Sequence, residues 1–255
     1  FRGFNNVTGL DYSVDSFTCE HCANHCEIKK VVLPGSEPLF YGSRCDRYNI
    51  KKTNASGDGL NAFDYRNAKL FECSGLSQNG ESKLKSGTKI GLPLALVNWQ
   101  LLPLFSNFFQ QLGFEVVISG KTDKRKIRRG VESVTAQPCF PVKVAYGHFE
   151  ELIEMGVDFI FVPSIASAKK EFPNSRNSTY CPYVQSLPFQ LQAAFESKLK
   201  HGKTSILSGA IRMGETEKIL YKGFIEIGKK LNCRKGNVKK ALSKALVKQE
   251  KFEAD

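Results

Sequence analysis

The chain has 255 residues, with 37 Lys and Arg against 25 Asp and Glu and a formal charge of +12. A chain of this length can bury a core without staples, and it suits one large domain or one medium domain with a small appendage. The composition is globular, and no uninterrupted apolar run approaches the roughly 20 residues of a membrane span, which excludes a membrane-spanning helix.

Residues 1–85 are rich in Gly, Asn, Ser, Asp and Cys, with short apolar pieces such as Lys30-Val31-Val32-Leu33 and Pro38-Leu39-Phe40-Tyr41. That texture predicts short strands and loops around a local staple, a small Cys-rich metal-binding module. Asn54–Gly59 reads as a loop, and Ser74–Glu81 as a second loop that serves as a linker.

From residue 86 to 255 the pattern predicts a Rossmann-like α/β domain, a parallel sheet flanked by helices. Lys89–Pro93 is a short buried strand running into a turn. Leu94–Leu112 carries apolar residues at helical spacing, with Gly113 as the stop, and Phe114–Ser119 is the next strand. A strand, a helix and a strand with short links make a right-handed parallel unit. Val144–Met155 is a second helix closed by Gly156, followed by the strand Val157–Val162 and a polar loop, Ala166–Thr179. The helix Leu187–Lys200, the strand Thr204–Ser208 and the helices Glu215–Leu231 and Gly236–Glu253 complete the pattern.

Eight cysteines are present, and no basic-then-apolar leader opens the chain, so metal ligands or catalytic thiols are expected in preference to a disulfide framework. Cys19, Cys22 and Cys26 lie within one short stretch, and Cys45 follows in Gly42-Ser-Arg-Cys45. Thiols this close cannot pair with one another, but they can converge on one ion with a fourth ligand from a distant loop. A zinc site made of these four cysteines fits best. An iron–sulfur cluster has the same ligand count, and His21 or His25 can replace one thiol.

The second constellation is Cys139 and Cys181, in Gln137-Pro-Cys139-Phe-Pro141 and Thr179-Tyr-Cys181-Pro182. Proline is at home in the first helical turn, so both thiols are expected at helix N-termini, where the helix dipole favours a thiolate. Two such thiols at the edge of a parallel sheet can hold one side of a cluster but cannot complete it. Read singly, each is more often a small buried hydrophobe. Cys73 and Cys233 lack this setting and read as structural or incidental. His148 reads as a packed or surface helix residue, not a catalyst, and Trp99 as core. Lys143, one turn from Cys139, reads as an exposed lysine, with tuning of cluster charge as its alternative. No phosphate loop, dinucleotide fingerprint or nucleophile elbow occurs, so this segment is expected to contain no complete active site.

The charge implies attraction to something anionic, although a piece of a larger protein need not be balanced by itself. Basic residues are densest in Lys121–Arg129 and in the last thirty positions, and both read as solvated helical faces. The chain begins Phe1-Arg2-Gly3 without an initiator Met and closes on the charged stretch Lys248–Asp255; both ends are expected to be cuts, in a cytoplasmic protein.

Several stretches then meet a family. Ile90-Gly-Leu-Pro-Leu-Ala95, Phe108–Ser119, Cys139-Phe-Pro-Val-Lys143 with Gly147-His148, Gly156–Pro163 and Cys181-Pro-Tyr-Val-Gln185 resemble the activase-related region of large 2-hydroxyacyl-CoA dehydratase activator proteins. Cys19-x-x-Cys22-x-Asn24-x-Cys26 and Gly42-x-Arg44-Cys45 are similar to it as well. The resemblance implies actin-like ATPase activator modules upstream and kinship with dehydratase subunits and double-cubane cluster proteins. In such systems ATP hydrolysis drives an electron to very low potential. It also implies Cys139 and Cys181 as cluster ligands, with a third ligand from a later Rossmann-like unit. The implied partners are the activator modules, in the same or another chain, and a dehydratase-like subunit or acyl-CoA, with a homodimer as one assembly. The competing reading is a zinc-knuckle module that binds nucleic acid or a partner protein. It is disfavoured for nucleic acid because aromatics do not interleave with the basic residues.

Overall fold

The computed structural model describes residues 11–21, 24–44, 48, 61–77, 82, 87–169 and 177–255. Contacts divide the chain into two units, Phe1–Leu60 and Asn61–Asp255.

The first unit holds strands β1 (Ser13–Thr18), β2 (Glu27–Val32) and β3 (Leu39–Tyr41), paired antiparallel in that order. Phe17 stands opposite Ile28 across β1 and β2. Ile28 is fully buried, and the Phe17 and Phe40 rings pack on Tyr48 at 5.5 and 5.6 Å.

The second unit opens with a helix in a segment whose composition suggests only strands and loops. This helix, α1 (Ala62–Ser74), starts where Asn61 Oδ1 accepts the N–H of Phe63 at 3.1 Å. Its buried residues Leu70 and Phe71 join the main core. The elements that follow are β4 (Lys89–Leu92), α2 (Val97–Gln100), α3 (Leu102–Gln111), β5 (Glu115–Ile118), α4 (Lys124–Ser133), α5 (Phe140–Glu154), β6 (Phe159–Phe161) and β7 (Ser164–Ser167). After these come α6 (Pro182–Gln185), α7 (Leu187–Ala194), α8 (Glu196–His201), β8 (Ser205–Leu207), β9 (Ala210–Arg212), α9 (Glu217–Lys230) and α10 (Lys235–Ala254).

The main sheet has the order β5-β4-β6-β8 with every pair parallel, and β7 and β9 form a separate parallel pair. This is the expected Rossmann-like α/β architecture. The period-2 pleat sorts side chains between two cores. Val116, Ile118, Phe161 and Leu207 face the helices α3, α9 and α10, where Phe105 and Phe109 stack edge-on against Phe161 at 5.0 and 4.9 Å. Val117, Ile160 and Val162 face α5 and α7 on the other side. Each fully buried Phe of this kind contributes roughly 1.5–3 kcal/mol.

The helix expected over Leu94–Leu112 is interrupted at Leu101. Pro103 has no N–H to continue the ladder, which accounts for the break. Pro188 separates α6 from α7 for the same reason. Gly113 and Gly156 do end their helices, with φ of +92° and +66°. Among the described residues no helix is long and apolar enough to cross a membrane.

Candidate functional site

In a parallel sheet every strand points its carboxyl end to one edge, and each following helix returns to the other. The helix α5 leads into β6, and α6–α8 lead into β8, so the N-termini of α5 and α6 both lie at the carboxyl edge. The order β5-β4-β6 makes β4 the strand from which the chain departs in both directions, the switch point of the sheet. Leu96, just beyond β4, has a strained backbone at φ +52° and ψ −135°.

Cys139 and Cys181 occupy the N-cap positions of α5 and α6, with extended backbones at φ/ψ −62°/158° and −53°/139°. Both thiols are exposed, and neither caps its own helix. Their carbonyls start the helices: Cys139 O accepts from Val142 N at 3.1 Å, and Cys181 O from Val184 N at 2.9 Å.

The two helices share one face of the sheet. Tyr146 and Phe149 of α5 pack on Phe195, just past α7, at 6.1 and 5.2 Å between ring centroids. The Tyr146 hydroxyl donates to Gln190 Oε1 at 3.4 Å. The Cys181 segment is fastened to β7, with Ser164 Oγ donating to Gln185 O at 2.7 Å and Gln185 Nε2 to Tyr180 O at 2.6 Å. Lys143, half-buried, donates to Gln137 Oε1 at 2.7 Å and so ties the first turn of α5 to the residues before Cys139. Thus the topology brings the two cysteines to one edge and one face. Among the described residues no three His, Cys, Asp or Glu side chains are grouped to hold a metal ion.

The helix that carries Cys139 is anchored by a polar network deeper in the fold. His148 of α5 is fully buried, with Nδ1 2.8 Å from Ser119 Oγ and Nε2 2.9 Å from Thr122 Oγ1. Ser119 Oγ also accepts the Leu94 N–H at 2.8 Å, so each nitrogen of the imidazole has a hydroxyl partner. Burial, reinforced by the nearby Lys126 charge, holds the His148 pKa down at about 4, so the ring is neutral. Beside it Lys126, almost completely buried, bonds Glu151 at 2.9 Å and Asp123 at 3.0 Å. Burial opposes its charge, but these carboxylates outweigh it and raise its pKa. Asp123 caps α4 by accepting the Lys126 N–H, and its pKa falls to about 2. The helices α4 and α5 touch backbone to backbone at Gly130 and Gly147, where any Cβ would overlap the carbonyls of Lys143 and Lys126.

The parallel sheet, both rim cysteines and this anchor all lie inside the stretch that matches a known family. The chain belongs to the CoA enzyme activase uncharacterised domain family (DUF2229), whose profile matches residues 89–255. No curated protein and no solved structure matches the chain.

The N-terminal cysteines lie outside that activase domain. Cys19 is buried, Cys26 is half-buried, and Cys19 N donates to Cys26 O at 2.9 Å, directly beyond the Thr18–Glu27 pair that ends β1 and β2. Gly42 sits against Glu27 at the same end, at φ +97°, in a space that a Cβ would fill with the Glu27 carbonyl. Cys22 and Cys45 themselves lie outside the described residues. Cys73 is buried and Cys233 half-buried, and burial raises both thiol pKa values, consistent with a structural role.

Proposed function

We propose that Cys139 and Cys181 are two ligands of an iron–sulfur cluster in an ATP-driven, low-potential electron-transfer system related to 2-hydroxyacyl-CoA dehydratases and their activators. One observation carries this reading: two exposed cysteines each open a helix at the carboxyl edge of one parallel sheet. Neither sulfur is engaged in capping its own helix, which suits soft thiolate ligation. A bound cluster supplies one-electron chemistry. The chain supplies two thiols and holds their backbones by the bonds of Gln185, Ser164 and the His148 network. The remaining ligands come from beyond the described residues or from a partner.

The family description, a CoA enzyme activase, supports ATPase activator modules and a dehydratase-like subunit or acyl-CoA as partners. Cys19, Cys22, Cys26 and Cys45 form a separate proposed set, for zinc or a second cluster, and the backbone hydrogen bond from Cys19 N to Cys26 O at the hairpin end supports half of it.

The test is elemental analysis of protein reconstituted anaerobically with iron and sulfide, beside protein as purified. Cys139→Ala and Cys181→Ala are each expected to lose most of the iron and keep the zinc, and Cys19→Ala is expected to do the reverse. Unchanged iron and sulfide in both rim variants would overturn the proposal.

A further inference from the structure

Half of the net charge sits at one end of the chain. Residues 216–255 contain 10 Lys and 1 Arg against 5 Asp and Glu, a surplus of 6 out of the chain's +12. These residues form α9 and α10, a helical hairpin closed where Gly228 lies against Val238. Its inner face, with Phe224, Ile227, Ala241 and Leu242, is spent on the core.

The outer face is a groove between the two helices, about 1220 Å³ in volume. Lys218, Lys222 and Lys229 line it from α9, and Lys235, Lys239 and Lys240 from α10. Glu226 neutralises Lys229 at 2.8 Å. The other five lysines make no ion pair among the described residues. The floor is apolar, with Ile219, Tyr221 and Ile225 half-buried. Along α9 the spacing 218, 222, 225, 229 sets three lysines and one isoleucine on a single stripe.

We infer that the α9–α10 groove docks an acidic, amphipathic helix of another protein, with carboxylates on the lysine rim and apolar side chains on the Ile219–Tyr221–Ile225 floor. Glu217 is the other acidic residue in the lining, so six lysines stand against two carboxylates, and an acidic partner offsets that surplus. A half-buried apolar floor between charged rims is the shape that receives a helix presenting apolar residues at i, i+3 and i+4. A second copy of this chain is a poor occupant because its own charge is +12. Single-stranded nucleic acid requires a track of aromatic faces for stacking, and Tyr221 is the one aromatic side chain lining the groove. This inference does not rest on the cluster reading, since neither Cys139 nor Cys181 lines the groove.

The experiment measures fluorescence anisotropy of the protein with a labelled synthetic helix of about 20 residues, Leu along one stripe and Glu on both flanks. A single-stranded oligonucleotide of similar length is the second probe. Lys222→Glu with Lys239→Glu is expected to weaken peptide binding about tenfold or more, and Lys248→Glu, outside the groove on the same helix, by less than about twofold. Neutralising Lys218→Gln with Lys235→Gln provides a second pair, and far-UV circular dichroism verifies folding of all variants. Absence of peptide binding overturns the inference, as does unchanged affinity in both lysine pairs. Tighter binding of the oligonucleotide, lost with the same lysines, also overturns it in favour of a nucleic-acid surface.

Discussion

Ser119 Oγ and His148 Nδ1 stand 2.8 Å apart, and both residues are completely shielded from solvent. The pair links the carboxyl end of β5 to the helix that presents Cys139, and the Leu94 N–H on Ser119 adds the loop after β4. Three chain segments at the sheet edge are therefore held by one imidazole, and Thr122 takes its second nitrogen.

This arrangement makes stability depend on pH in a definite direction. The folded-state pKa of His148 is about 4, below its ordinary value of 6.5. Between those values the unfolded chain binds the proton and the folded chain does not, so stability rises with pH. The contribution is complete above about pH 6.5 and is lost as pH falls toward 4, on the order of 3 kcal/mol in all. Urea unfolding at about pH 7.5 and about pH 4.5 checks it, with His148→Gln expected to show a clearly smaller difference between the two. Equal pH dependence in both proteins would show that another group carries the effect. Asp123, held at about 2, titrates lower and does not obscure this window.

Gly147→Ala is expected to destabilise the protein by about 1–3 kcal/mol, because the added methyl has only the Lys126 carbonyl to push against. The neighbouring Lys126–Glu151 bond and the His148 network move with that helix, so reconstituted iron should also fall. Gly236→Ala is the control. It lies in the first turn of α10 with open space around it, and it should stabilise by about 0.4–1 kcal/mol. Denaturant midpoints moving in the same direction for both variants would sink the argument from helix contact.

The strands β4, β5, β6 and β8 were readable because each is a short apolar run bounded by Gly or Pro, and the helix stops at Gly113 and Gly156 follow from their position alone. The helix starts at Cys139 and Cys181 were readable from the prolines beside them. The α1 helix was not: Phe63 and Tyr65 are exposed, so its apolar residues mark no clear stripe. The β7–β9 pair joins short segments some forty residues apart, and nothing local specifies that pairing. The Ser119–His148 contact was hidden for the same reason. A lone histidine on a helix reads equally as a packed or a surface residue, and its partner hydroxyl lies at a strand end 29 residues away.

Exposure of the rim cysteines gives a prediction that requires no mutation. In the reduced, metal-free protein Cys139 and Cys181 are exposed, whereas Cys73 is only 3% exposed and Cys19 only 5%. Alkylation with iodoacetamide followed by peptide mass spectrometry should therefore mark Cys139 and Cys181 first and Cys73 last, since reagent access to a buried thiol requires local opening. Reconstitution with iron and sulfide should then protect Cys139 and Cys181 together, because loss of either ligand position frees the other. Protection of one alone would separate the two thiols chemically, and no shared cluster could be assigned to them. Protection of both, with Cys233 labelled at an unchanged rate, would tie the two helix starts to a single ligand.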